Sequence, residues 1–446
     1  MREDSCYHEW SRQHRPRRMA QPTRRTATLQ GRPHNEGAPM MVHRAYRTEL
    51  DPNNAQRTHL LQHAGVARFT YNWGLGRKME VMRINQLPIP RIKLPTAFDL
   101  HRELNRLKQT ELPWMYESSK WAPQLALRDL DSAFKNFYQG RAGFPRFKSR
   151  KHGAGSFTLA MPIHVKGGCI RLPRLGWIRF KEHGYLPIEA HINSATVSEL
   201  AGRWFVSLNV VEEREDPEPI IGAAVGVDRG LKNLAVVSDG VVIENPKAMA
   251  RCERKLKQLQ RAVSRKQKGS SNRRKAVQRL ARCHSRISNM RKDALHKATT
   301  ALATTKSVIV VEDLAVRSMM ANHHLAKAIG DAGWSEFVRQ LEYKSKWYGS
   351  RLVVAGRFFP STKRCSKCGG VKDSMALDKR TFVCEFCGFT ADRDLNAALN
   401  LEQWPSVGRT LETPVEEGVQ VKKPQPSYES GTEMVQNDHE SGNEGV

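Results

Sequence analysis

Hydrophobic positions along the chain change period twice. Residues 43–50 read as a strand. From Pro52 to about Arg146 the pattern is helical. Leu60, Leu61, Ala64 and Ala67, then Phe69, Tyr71 and Trp73, predict one helix with a broad apolar face. Leu125, Leu127, Leu130, Ala133, Phe134 and Phe137 predict another, ended by Gly140 and the break at Gly143-Phe144-Pro145. Over 155–213 the period falls to two. The runs 156–161, 169–172, 177–180, 195–200 and 204–211, separated by Gly, Pro or charge, predict a small antiparallel unit closing into a barrel. Residues 212–219, acidic and Pro-containing, read as a linker.

A third pattern starts at Ile220. Residues 223–228 form a short apolar strand ending in Asp228. Residues 234–237 and 241–243 flank Ser238-Asp239-Gly240, a hairpin signal. Residues 250–297 read as helix, with Val277, Leu280, Ile287 and Met290 as a thin apolar seam among Arg and Lys. The strand at 307–311 ends in Glu312, and 352–355 form a further strand. A last helix is predicted from about Arg393 to Gln403. Residues 1–42 and 404–446 lack periodicity and are expected to be disordered, the first basic and the second acidic. The pair Met40-Met41 at the first strand is a candidate translation start.

Composition then narrows the function. The chain has 446 residues, 73 Lys plus Arg against 45 Asp plus Glu, and a formal net charge of +28. That excess points to a phosphate-rich partner. No run reaches the roughly 18 apolar residues of a membrane span, and no secretory h-region is present. A cytoplasmic, nucleoid-associated protein with no membrane partner is expected.

Two groups of residues carry candidate chemistry. Cys365-x-x-Cys368 and Cys384-x-x-Cys387, with Gly369-Gly370 and Gly388 beside them, have the spacing of a closed four-thiolate zinc site. Such a site leaves no open coordination position, so its zinc is structural; an iron–sulfur cluster is the lesser alternative. Cys6, Cys169, Cys252 and Cys283 read as free thiols. The second group is acidic. Asp228 and Glu312 end apolar strands, and Asp394 opens the last helix, where Asp392 competes with it as a cap. Carboxylates converging at strand ends suit hard divalent cations, Mg²⁺ or Mn²⁺. Two such ions about 4 Å apart can hydrolyse a phosphodiester. Each acid alone reads more simply as a turn or cap residue.

The run from Gly226-Val227-Asp228-Arg229 to Gly240 resembles the first RuvC motif of the transposon-encoded TnpB family. Val310-Val311-Glu312-Asp313-Leu314 resembles the second, and the run from Asp392-Arg393-Asp394-Leu395-Asn396 to Asn400 the third. The Cys pairs fall where that family inserts a zinc ribbon. The match spans roughly residues 43–402. It implies a multidomain α/β chain: an RNase H-like RuvC nuclease domain with an inserted four-cysteine zinc ribbon, preceded by a wedge β-barrel that contains a helical recognition lobe.

On that resemblance the wedge takes 43–52 and 148–218, the lobe 53–147, the nuclease 219–361 and 391–403, and the ribbon 362–390. The implied activity is RNA-guided, metal-dependent DNA cleavage beside a short adjacent motif. Asp228, Glu312 and Asp394 are the implied catalytic residues and Mg²⁺ ligands; Cys365, Cys368, Cys384 and Cys387 hold Zn²⁺. Arg229 departs from the family, where an apolar residue is common. The implied partners are a guide RNA from the element's end and double-stranded target DNA, with one protein per guide. A guide-directed binder or repressor without cleavage, a transposition accessory protein and a type V CRISPR effector are the alternatives. The basic runs 146–151 and 261–286 suit phosphate contact or form solvated faces. Trp73, Tyr71, Phe134 and Phe137 are read as core rather than base-stacking residues.

Overall fold

The computed structural model describes residues 40–150, 153, 155–182, 184–186, 191–376 and 379–411. The expectations for residues 1–39 and 412–446, and for Lys151, lie outside the described residues.

Strand β1 (Met40–Asp51) is the middle of a seven-stranded antiparallel sheet. The others are β2 (Ser156–Ala160), β3 (His164–Lys166), β4 (Cys169–Leu172), β5 (Gly176–Phe180), β6 (His191–Leu200) and β7 (Arg203–Arg214). The order is β2-β6-β7-β1-β5-β4-β3, with β2 and β3 at its two ends, and among the described residues no pairing joins those ends into the expected barrel. Two sequence expectations are corrected here. β1 starts at Met40, and β7 runs through the first residues of the expected linker. The reason is mutual: Met40, Met41 and Val42 pair with Arg214, Glu213 and Glu212, giving both ends a ladder partner. β3 was missed because three residues are too few to display a period.

Three helices follow β1: α1 (Asn54–Ile84) and α3 (Trp121–Tyr138), which both reach β2 of the sheet, and α2 (Ala97–Thr110), which packs on α3. Asn53 and Gln56 form a capping box that starts α1. At Gly74 an added Cβ would stand 2.8 Å from Leu127 Cδ2, so glycine lets α1 and α3 approach closely. Leu60, Leu75, Leu127, Leu130, Phe134 and Phe137 share one core with Phe157, Ile170, Ile178 and Val206 of the sheet. Tyr71, Phe134 and Phe137 are buried, as expected, and Trp73 packs on the same core.

The remaining chain surrounds a mixed five-stranded sheet, ordered β10-β9-β8-β11-β12. Its strands are β8 (Ala224–Arg229), β9 (Asn233–Val237), β10 (Val242–Glu244), β11 (Val308–Glu312) and β12 (Arg351–Ala355). β8, β11 and β12 run parallel, and β9 and β10 are added antiparallel. The Ser238-Asp239-Gly240 turn joins β9 to β10, with Gly240 at φ +89°. The basic segment expected as one helix is two, α4 (Ala248–Ser264) and α5 (Ser271–Thr305). The turn between them carries Gly269 at φ +86°, and Ser270 caps α5. Asp331 accepts from the Met249 N–H at 2.9 Å and from Arg291 at 3.0 Å, tying the start of α4 to α5.

Three helices that sequence reading passed over separate β11 from β12: α6 (Val316–Met319), α7 (His323–Ala332) and α8 (Trp334–Tyr348). The last helix, α9 (Arg393–Leu411), continues seven residues past Trp404, into the stretch expected to be disordered. The Trp404 ring packs on Phe359 with centroids 4.8 Å apart, which anchors the helix at Trp404. A two-stranded ribbon, β13 (Thr381–Val383) and β14 (Thr390–Asp392), leads into α9. No helix among the described residues is long and apolar enough to cross a membrane.

Candidate active site and metal centre

Side-chain alternation in the mixed sheet decides what faces what. Val225 and Val227 of β8, with Ile309 and Val311 of β11, pack against α5, α7 and α8, beside Leu295, Ile329 and Phe337. The opposite parity faces α9. Val310 packs with Leu401, and a Cβ on Gly226 would lie 1.9 Å from the Ala398 carbonyl oxygen. Asp228 and Glu312 share that second parity. Val227 pairs with Val311, so the two acids follow as the next residues on adjacent parallel strands.

Asp394 sits in the first turn of α9, the helix laid over this face. Asp392 and Asp394 divide their roles. The Asp392 carboxylate accepts from the backbone N–H of Asp394 at 2.9 Å and of Leu395 at 3.1 Å, so Asp392 is the cap. The Asp394 carboxylate is instead held by Arg393 Nε at 3.2 Å, with Arg380 at 3.8 Å.

The Asp228 pKa is raised to about 7. Burial is the first cause, and the negative charges of Glu312 and Asp394 add to it, against smaller opposing effects of Arg393 and Arg229. Asp228 therefore lies in the field of both other acids, although the ligand atoms of the three do not all lie within 4.8 Å of one another. Among the described residues only the four cysteines form so tight a group.

Two residues that sequence reading did not place in the site complete its surroundings. Arg229, of opposite parity to Asp228, turns its buried guanidinium to the Glu312 carbonyl and, at 3.4 Å, to the Trp334 carbonyl. Burial lowers its pKa to about 10, against the pull of Glu312 and Asp228. The Ser361 hydroxyl, almost fully buried, donates to the Glu312 carboxylate. Arg229 was visible only as a departure from the family pattern, and Ser361 had no signal beyond its place in the run before Cys365.

The four sulfurs of Cys365, Cys368, Cys384 and Cys387 lie within 4.8 Å of one another. Cys365 to Cys387 is 3.8 Å and Cys368 to Cys384 is 3.5 Å. Four thiolates about 2.3 Å from a tetrahedral zinc would stand about 3.8 Å apart, so the donor set fits that ion in size and softness. Each Cys pair closes a tight backbone turn. The Gly369 N–H donates to the Cys365 carbonyl at 2.9 Å, and the Gly388 N–H to the Cys384 carbonyl at 3.1 Å. Both glycines have positive φ, +78° and +67°.

The basic runs are open to solvent. Arg261, Arg265, Lys266, Lys268, Arg274, Lys275, Arg279 and Arg286 are exposed on α4, α5 and their turn, and Arg146 and Arg150 are exposed in the earlier run. Lys148 is more constrained: its ammonium lies 4.0 Å from the Tyr71 ring centroid, and Asn72 bonds its backbone N–H and carbonyl.

Three family profiles match the chain. One described as "Probable transposase" (OrfB_IS605) covers residues 207–323, "Cas12f1-like, TNB domain" covers 334–401, and an OrfB_IS605 "Helix-turn-helix domain" covers 40–83. Over that last stretch this chain forms one strand and one long helix. A Streptomyces pristinaespiralis protein named "Putative RNA-guided DNA endonuclease" is 39% identical over 369 residues, 81% of this chain and 89% of its own. The Escherichia coli K12 protein "Putative RNA-guided DNA endonuclease InsQ" is 32% identical over 408 residues, 88% of this chain and 98% of its own. Among solved structures, a Cas12f1–sgRNA–target DNA complex aligns with 16% identity and a TM-score of 0.46, over 78% of this chain and 82% of that one.

Proposed function

The chain belongs to the OrfB_IS605 (TnpB) family, and on that premise we propose that it is a transposon-encoded RNA-guided DNA endonuclease. Its relatives from Streptomyces and Escherichia are named for that activity. The mixed sheet with α9 across it is read as the RuvC-like nuclease, the four-cysteine ribbon as its insertion, and the seven-stranded sheet with α1 to α3 as the wedge and recognition lobe.

The observation that carries the catalytic reading is the shared face of Asp228 and Glu312 beneath the helix that brings Asp394. Asp228, Glu312 and Asp394 offer hard oxygen donors and a negative charge that Arg393, Arg380 and Arg229 offset only in part, which fits Mg²⁺ or Mn²⁺. Those ions, when bound, supply charge stabilisation and an activated water at the phosphodiester. The residues themselves set the stage. Asp392 caps α9 and so frees Asp394, Arg393 and Arg380 restrain the Asp394 carboxylate, and Arg229 fixes the backbone at Glu312. Cys365, Cys368, Cys384 and Cys387 would hold a structural Zn²⁺.

The exposed Lys and Arg of α4 and α5 support guide RNA and target DNA as partners, bound through phosphate charge while base pairing reads the sequence. One protein per guide RNA is the simplest assembly. The test is cleavage of a target plasmid by the purified protein–RNA complex with Mg²⁺, wild type against Asp228→Ala. Product from the wild type only is expected. Undiminished cutting by Asp228→Ala would remove the catalytic assignment, and target binding without product from the wild type would favour a non-cleaving binder.

A further inference from the structure

We propose that Ser361 is a positioning residue for the carboxylate site, and that Asn400 links it to the first cysteine turn of the ribbon. The inference rests on the reading of Asp228, Glu312 and Asp394 as a divalent-cation site. It begins at the Ser361 hydroxyl, which is buried and donates to Glu312 Oε1. A glutamate has three side-chain torsions, so a carboxylate with a fixed donor samples far fewer arrangements than a free one.

Ser361 is itself held through its backbone. Asn400 Nδ2 donates to the Ser361 carbonyl at 2.8 Å, and the same amide reaches the Arg364 carbonyl at 2.6 Å. Asn396 Nδ2 meets that Arg364 carbonyl at 2.7 Å, and Asn396 Oδ1 accepts from the Ser366 N–H at 3.0 Å. Gln403 Nε2 takes the Ser366 carbonyl at 3.0 Å. Asn396, Asn400 and Gln403 are spaced i, i+4, i+7 along α9, a single helix face. They grip the residues on both sides of Cys365. Between Ser361 and Cys365 the backbone is a closed turn: the Lys363 and Arg364 N–H groups donate to the Pro360 carbonyl at 3.0 and 2.9 Å.

The path therefore runs without a gap from the Cys365 turn, through Arg364 and Asn400, to Ser361 and the Glu312 carboxylate. The same helix face begins two residues after Asp394. Asn396 and Asn400 are fully buried, where a polar group is costly unless hydrogen-bonded; both amide nitrogens and Asn396 Oδ1 are paired with backbone, while Asn400 Oδ1 finds no partner among the described residues. Ordering the four thiolates around their metal thus fixes two of the three acids at once: Glu312 through Ser361, and Asp394 through α9.

The experiment titrates Mn²⁺ into the full-length, zinc-loaded protein, counts bound ion by electron paramagnetic resonance, and assays bound zinc in parallel. Ser361→Ala should keep its zinc and lose about 10–100-fold in Mn²⁺ affinity, the range for removal of a group that orients a metal ligand. Ser361→Thr should restore most of it. In cleavage assays Ser361→Ala should lower kcat more than it raises KM for target DNA. Cys368→Ser should weaken Mn²⁺ binding in the wild-type background and weaken it less in Ser361→Ala, where the branch to Glu312 is already broken.

Wild-type Mn²⁺ affinity in Ser361→Ala would overturn the positioning role, and full additivity with Cys368→Ser would overturn the link. Asp228→Ala separates the two levels of inference. If it too binds Mn²⁺ as wild type does, the cation site itself falls; if it loses the ion while Ser361→Ala keeps it, only the positioning role falls.

Discussion

Asp228 concentrates the electrostatic cost of the site. Its carboxyl is enclosed beside two other acids, and its pKa rises to about 7 from an ordinary value of 3.8. A carboxyl raised on folding binds its proton more tightly in the native state. Its contribution to stability is therefore full below about pH 4 and is lost as pH rises through 7. The metal-free protein should accordingly melt lower at pH 8 than at pH 6, and Asp228→Asn should remove that loss. The expected gain for Asp228→Asn at pH 8 is about 2–4 °C for each kcal/mol recovered, and it should vanish near pH 4. Thermal melts of both proteins without divalent ions, at several pH values, check this; equal melts at pH 8 would mean the charge is not buried. Arg229 acts on backbone instead. Arg229→Ala leaves the Glu312 and Trp334 carbonyls without this donor and should cost about 1–3 kcal/mol, read by denaturant unfolding. The four cysteines were legible from their spacing, and the structure brings their sulfurs together; the three acids stood out singly at two strand ends and a helix start, and only the family resemblance joined them into one proposed site. Ser361 and Arg229 were not legible, since a serine or an arginine gains its role only from the groups the fold brings to it.

At the scale of elements, the contact of α9 with β8 sets where Asp394 stands. Gly226 makes that contact possible, since an added Cβ would stand 1.9 Å from the Ala398 carbonyl oxygen and 2.5 Å from the Glu402 nitrogen. Both atoms are backbone, so Gly226→Ala forces the helix off the strand. Its expected signature is a lower Tm together with loss of cleavage. Asp392→Ala should separate cap from catalyst: about 1 kcal/mol of stability, with cleavage reduced but retained, whereas Asp394→Ala should abolish cleavage with its cap intact. The strands β8, β11 and β12 and the β9–β10 hairpin were readable from short apolar runs and a Ser-Asp-Gly turn. The helices α7 and α8 also carry a readable period, in Leu325, Ile329 and Ala332, then Trp334, Phe337 and Leu341, all apolar at helical spacing. What sequence could not supply was where β7 stops, because that end depends on a partner distant in sequence, Met40–Val42.

Over the whole molecule the question is what the +28 charge does. Where α4 and α5 face each other the apolar seam is thin: Ala248, Leu256 and Ile287 are buried in it, Leu280 and Met290 are partly covered, and Val277, expected in the seam, is exposed. The other faces carry cations, so the hairpin holds charge that its own packing does not need. Arg282 is partly committed, since its Nε donates to the Ala201 carbonyl at 3.3 Å and ties α5 to the β6–β7 turn. Arg274, Lys275 and Arg279 are exposed on the same helix. If this face carries RNA phosphate, replacing those three with Ala should weaken guide RNA binding and flatten its dependence on salt. The slope of log affinity against log salt should fall by about 0.7–0.9 for each phosphate no longer neutralised. Filter binding across a salt series measures that slope, and cleavage at saturating RNA should stay near wild type because none of the three is among the charged groups that shift the Asp228 pKa. Parallel plots for variant and wild type would mean the face is only solvated. The excess charge would then have to act elsewhere, with exposed Arg146 and Arg150 the next basic positions to test.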